Sequence, residues 1–179
     1  KAMIAALAGL SVLGADVAKA QTDLLPDIII REDELYDNSI VTNIIPGHTH
    51  IRLSTGTPNI GAGKLYVYGG ADLGNGKQQV IQRVYRSNGT FWDRDAGQFV
   101  YHPTHNHIHV EAWCQYRIRE VLPGDGVGDI VAEGEKTSFC ILDLTVYDSS
   151  LPGFPAGGQF NSCSTTTQGL SVGWMDIYS

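Results

Sequence analysis

His105-Asn106-His107-Ile108-His109-Val110-Glu111-Ala112-Trp113-Cys114-Gln115-Tyr116-Arg117-Ile118-Arg119 alternates two kinds of residue with a period of two. Successive side chains of a β-strand point to opposite faces, so Ile108, Val110, Ala112, Cys114, Tyr116 and Ile118 share one largely apolar face. The three histidines share the other with Glu111, Trp113, Gln115, Arg117 and Arg119. The segment predicts one long strand over 105–121 with a core side and a working side.

The surrounding sequence repeats this texture from 27 to 146: short β-rich runs at 27–31, 50–54, 64–68, 78–86, 98–102 and 137–146, divided by Gly, Asn, Asp and Pro. Asn75-Gly76 and Asn88-Gly89 are dipeptides that accept the positive φ angles of tight hairpins. No helical periodicity is long enough to compete, and the expected class is all-β. From 151 to 173 the composition turns to Gly, Pro, Ser and Thr, which predicts an irregular surface loop. Asn88-Gly89-Thr90 matches a glycosylation sequon, which matters only in a glycosylating source.

With 42% hydrophobic and 17% charged residues among 179, the chain has the balance of one globular domain with a real core. A net charge of -7 with no Lys/Arg cluster argues against nucleic acid and weakly favours cationic partners. Residues 1–20 read as a secretory signal: Lys1, an apolar stretch over 2–15, and Ala18-Lys19-Ala20 as a cleavage site before Gln21. That stretch is shorter than the roughly 20 residues that span a bilayer, so the mature domain, 21–179, is expected to be exported without a membrane span. Lys1 is not preceded by a methionine, and the N-terminus is expected to be incomplete. Export permits disulfides, and Cys114, Cys140 and Cys163 leave one cysteine over.

A lone histidine on such a strand is most often incidental. Three at i, i+2 and i+4 converge as a nitrogen-only site with open positions, which suits copper or zinc far better than calcium or magnesium. His102 lies near the cluster as an outer hydrogen-bonding group or an ordinary polar residue. His48 and His50 repeat the two-residue spacing, with incidental and supporting roles equally open.

Tyr101-His102-Pro103-Thr104-His105-Asn106-His107-Ile108-His109 resembles the copper-binding segment of the lysyl oxidase family, W-x-x-C-H-x-H-x-H. Residues 131–140 (VAEGEKTSFC) resemble its V-A-E-G-x-K-x-S-F-C segment, and residues 167–178 resemble T-Q-G-L-S-x-G-x-x-D-x-Y. Leu25-Pro26-Asp27 resembles the family's opening tripeptide. The resemblance implies copper held by His105, His107 and His109, and a lysine tyrosylquinone cofactor made from Lys136 and Tyr178. It implies oxidative deamination of primary amines, whether peptidyl lysine or small amines, with molecular oxygen as co-substrate. It also implies a β-sandwich-like domain with long irregular loops that is incomplete at its C-terminus, since family members continue past the position of Ser179.

The sequence departs from the family at Tyr101 and Thr104, which replace the motif tryptophan and cysteine, so a disulfide anchoring that strand is lost. With Cys114 on the apolar face, the expected pair is Cys140 with Cys163. Without the motifs, Lys136 reads as a solvated charge and Tyr178 as a packing residue. The general base is open among Glu111, Asp143 and Asp148. Two other functions use the same histidines: a zinc hydrolase with Glu111 as base, and a copper-binding module that never forms the quinone.

Overall fold

The computed structural model describes residues 21–134 and 137–178. The signal segment at 1–20 and Lys136 lie outside the described residues. Thirteen strands occur among the described residues: β1 Asp23–Leu24, β2 Asn38–Thr42, β3 Thr49–Leu53, β4 Thr55–Pro58, β5 Leu65–Gly74, β6 Lys77–Arg86 and β7 Phe91–His102, followed by six more. These are β8 His107–Val110, β9 Arg117–Leu122, β10 Gly126–Glu133, β11 Thr145–Val146, β12 Gln168–Leu170 and β13 Trp174–Tyr178. One 3-10 turn, Glu32–Tyr36, is the helical element among the described residues. The all-β class expected from the turn spacing is the class observed, and no described helix is long and apolar enough to cross a membrane.

Every pairing is antiparallel. The main sheet runs β12-β5-β6-β7-β8 with β1 added on β6, a second sheet runs β11-β13-β4, and β2–β3 and β9–β10 form two separate hairpins. Asn75 and Gly76 adopt φ of 54° and 73° between β5 and β6, as the Asn-Gly dipeptide requires. At the next turn only Gly89 is left-handed, with φ 84°, and Asn88 instead accepts hydrogen bonds from the Thr90 N–H and hydroxyl. The core joins Leu65, Val67, Val80, Phe99, Val110 and Ile141 with Leu170, which is fully buried.

Three expectations are corrected. The continuous strand over 105–121 does not form: the regular strand is His107–Val110, preceded by a turn and followed by Ala112 at φ 54° before β9 begins at Arg117. One residue in the left-handed region breaks the two-residue alternation, so Trp113, assigned to the histidine face, packs against the core. Residues 27–31 pair through isolated bridges, Ile28 to Asn59 and Arg31 to Gly56, and 137–146 through one bridge, Phe139 to Val110, and short β11.

The loop expected over 151–173 is irregular as far as Thr167, then enters the core as β12. Gln168 there is completely buried because its amide is fully used: Oε1 accepts from the Ile141 N–H at 3.1 Å, and Nε2 donates to the carbonyls of Ile108 at 3.0 Å and Ser164 at 3.2 Å. Gln168→Leu keeps the approximate volume and strands three backbone groups. Each buried unsatisfied group costs about 1–3 kcal/mol, so urea unfolding should show a loss of about 3 kcal/mol or more.

Candidate metal centre and reactive tyrosine

Strand β7 ends at His102, and a four-residue turn at 103–106 reverses the chain into β8. Pro103 presets the turn, Asn106 takes the left-handed conformation at φ 54°, and the N–H groups of His105 and Asn106 both donate to the His102 carbonyl, at 3.2 and 2.8 Å. His105 therefore reaches the cluster from a turn, not from the strand that sequence alternation assigned to it. His107 and His109 do sit two apart on β8, on one side.

The three converge as expected. Their ligand nitrogens lie within 4.8 Å of one another, and the Nε2 atoms of His107 and His109 are 2.8 Å apart. His109 is 1% exposed, with Nδ1 at 3.2 Å from the Ser138 hydroxyl, an arrangement that leaves Nε2 toward the cluster. Two ligands at about 2 Å from one ion stand at most about 4 Å apart, so the 2.8 Å pair already fits a single cation. His105, which reaches the cluster from the turn, is exposed.

His102, opposite His107 in register, stacks on His105 at 4.3 Å and lies 4.7 Å from His109. Its Nδ1 is buried with no hydrogen-bond partner. It buttresses the rings from behind, so His102→Ala should weaken copper affinity by roughly 10 to 100-fold without abolishing binding. Titration of the apo protein against a copper chelator measures this.

Tyr178 lies on β13 opposite Thr55, and its ring contacts Phe139 at 4.8 Å. Its hydroxyl donates to the Cys140 carbonyl. Cys140 and Cys163 form the expected disulfide, and the Ile108 N–H donates to the Cys163 carbonyl at 3.1 Å. The segment Ser138-Phe139-Cys140 thus touches the histidine cluster at one end and Tyr178 at the other. It is three residues long, so the two groups are separated by about 7 Å of chain. Thr137, next to Lys136 in sequence, accepts from the Cys114 N–H at 3.2 Å.

Burial pushes the Tyr178 phenol well above its ordinary value, and the Asp176 carboxylate adds to the rise. Tyr116, whose hydroxyl donates to Thr55 Oγ1 at 3.0 Å, is pushed up to about 12, again chiefly by burial. Both folded values exceed the unfolded value near 10, so the stability from these neutral phenols is complete below about pH 10 and is lost as pH rises through the folded values. Metal-free protein should therefore melt at progressively lower temperature above about pH 10, and Tyr178→Phe should flatten that decline.

Asp176 enters the sequence reading only as the aspartate of the motif over 167–178, with no role of its own. It is 1% exposed, two residues before Tyr178 on one side of β13, and the Asp-x-Tyr spacing was the available signal. The three acidic candidates are engaged elsewhere. Glu111 pairs with Lys77 at 3.5 Å and accepts from Gln98. Asp143 accepts from the N–H groups of Gln159, Phe160 and Ser171 and from the Ser171 hydroxyl, which fixes the 151–173 loop. Asp148 caps a turn at Ser150, whose bonds hold its carboxyl below the usual range. Cys114, unpaired as expected, is half-buried, and burial pushes its thiol up.

A cavity of about 600 Å³ opens between the β2–β3 and β9–β10 hairpins, with Phe139 and Tyr178 in its wall. His48 and His50 line it rather than joining the histidine cluster.

Fold and site together define an all-β protein with an imidazole cluster suited to a metal, linked through Ser138 to Cys140 to a half-buried tyrosine. The lysyl oxidase family model matches residues 82–179, more than half of the chain and all of this site, and the chain belongs to the lysyl oxidase family. No curated protein and no solved structure matches it. The family is copper-dependent, extracellular and oxidative.

Proposed function

We propose that this protein is an exported copper-dependent amine oxidase, converting a primary amine, dioxygen and water to an aldehyde, ammonia and hydrogen peroxide. His105, His107 and His109 hold the copper, and Lys136 and Tyr178 supply the lysine tyrosylquinone. The observation that carries the reading is the placement of three converging imidazoles and Tyr178 at opposite ends of one three-residue segment, Ser138 to Cys140.

When formed, the quinone accepts two electrons from the amine and passes them to dioxygen. The protein supplies position and electrostatics. Ser138 orients His109, the disulfide ties Cys140 to Cys163, whose carbonyl accepts from the Ile108 N–H on the strand that carries His107 and His109, and burial keeps Tyr178 a neutral phenol before maturation. The three imidazole nitrogens fit copper by donor type. A zinc hydrolase would need Glu111 as base, and Lys77 and Gln98 already hold it.

The disulfide closes a loop of 23 residues, worth about 3 kcal/mol in the chain-entropy model. Cys163→Ser should lose about that stability in urea and slow quinone formation, followed by visible absorbance. The test of the function itself is optical: copper-loaded protein should absorb in the visible and shift on adding phenylhydrazine. A copper-binding module without the quinone gives no shift.

A further inference from the structure

Among the described strands, β3 pairs on one side only, with β2. Hydrogen bonds at both ends fix which backbone groups face that partner. The Asn43 N–H donates to the His48 carbonyl at 3.0 Å, and the Ser54 N–H donates to the Asp37 carbonyl at 2.9 Å, each in register with the ladder from Thr42–Thr49 to Asn38–Leu53. Bonded and non-bonded pairs alternate along an antiparallel ladder. His50 and Arg52 therefore face β2, whereas the N–H and C=O groups of Thr49, Ile51 and Leu53 point away from it. No described strand meets them there.

Those groups open into the cavity that contains Tyr178. His48 to Leu53 line it without interruption. A strand bordering a cavity with one face contributes every second residue, so an unbroken run means that β3 presents its edge. Exposed edges are ordinarily blunted by proline, charged side chains or a bulge. β3, Thr-His-Ile-Arg-Leu, has no proline, its ladder runs in unbroken register, and Arg52 is its one charged residue. Apolar Leu53, Ile118 and Phe139 continue the wall toward Tyr178.

We propose that the β3 edge is a strand-addition site for the substrate: an extended polypeptide hydrogen-bonds to Thr49, Ile51 and Leu53 and directs a lysine side chain into the cavity toward Tyr178. The lysine's methylene stem suits the apolar wall, and main-chain pairing supplies affinity with little demand on flanking sequence. The delivery of lysine rests on the reading of Tyr178 given above; strand addition stands apart from it.

The probe is acetyl-Thr-Val-Thr-Lys-Thr-Val-Thr-amide, compared with n-butylamine. Ile51→Pro removes an outward N–H while leaving the β2 ladder its bonds. The ratio of kcat/KM for the peptide to that for n-butylamine should fall by about tenfold or more, and an unchanged ratio overturns the proposal. Amide hydrogen exchange on the unmutated chain tests docking without any turnover. Saturating peptide should slow exchange at Thr49, Ile51 and Leu53 while His50 and Arg52 stay as they were. Absence of that alternation overturns strand addition, as does protection before peptide is added, which would mean that the chain or a second copy covers the edge. Alternating protection in copper-loaded protein that oxidises neither compound would sustain the docking site and refute the amine oxidase reading.

Discussion

His107→Ala should strip the protein of copper. Its Nε2 stands 2.8 Å from that of His109, and alanine leaves two imidazoles with no third donor between them. Loss of an outer hydrogen-bonding partner costs metal sites roughly 10 to 100-fold in affinity, and loss of a direct ligand should exceed that range. Equilibrium dialysis followed by elemental analysis measures it. Stoichiometric copper retained by the variant would move the metal site elsewhere, whereas retention by His102→Ala at reduced affinity fits a ring that stacks behind the ligands.

The second large effect concerns stability after maturation. A covalent bond between Lys136 and Tyr178 closes a loop of about 40 residues, and in the chain-entropy model such a closure is worth about 4 kcal/mol. Copper-matured protein should resist urea by about that amount relative to Lys136→Arg, which keeps the charge but is not expected to form the link. The two proteins should be equally stable when both are prepared without copper. A stability difference of the same size in the copper-free pair would mean that Lys136 acts by packing or ion pairing.

Much of this was legible in the chain because the deciding signals are local. Asn75-Gly76 produced its hairpin, the two-residue spacing placed His107 and His109 together, and assigning Cys114 to the apolar face left Cys140 and Cys163 as the pair that forms. His105 joined the cluster by another route. Alternation placed it on the strand, but Pro103 and Asn106 favour a turn, and local turn chemistry prevailed over periodicity. Beyond Val110 the alternation failed because Ala112 takes a positive φ, a conformation that an alanine does not advertise.

What was not legible depends on contacts distant in sequence. Asp143 reads as an acidic residue close to Lys136, yet its oxygens are occupied by Gln159, Phe160 and Ser171. Gln168 lay in a stretch that composition assigned to surface loop, and only its partners at Ile108 and Ile141 explain its burial. Asp176 was readable in part, since Asp-x-Tyr on a strand puts both side chains on one side; its burial follows from pairing with β4, which residue spacing does not reveal.

The most direct measurement is mass spectrometry of a proteolytic digest from protein folded with and without copper. One cross-linked peptide containing both Lys136 and Tyr178 should appear only in the copper-folded sample, with the mass of the oxidised link. Lys136 and Tyr178 recovered solely in separate, unmodified peptides from copper-loaded protein would contradict the amine oxidase assignment and leave a copper-binding module in its place.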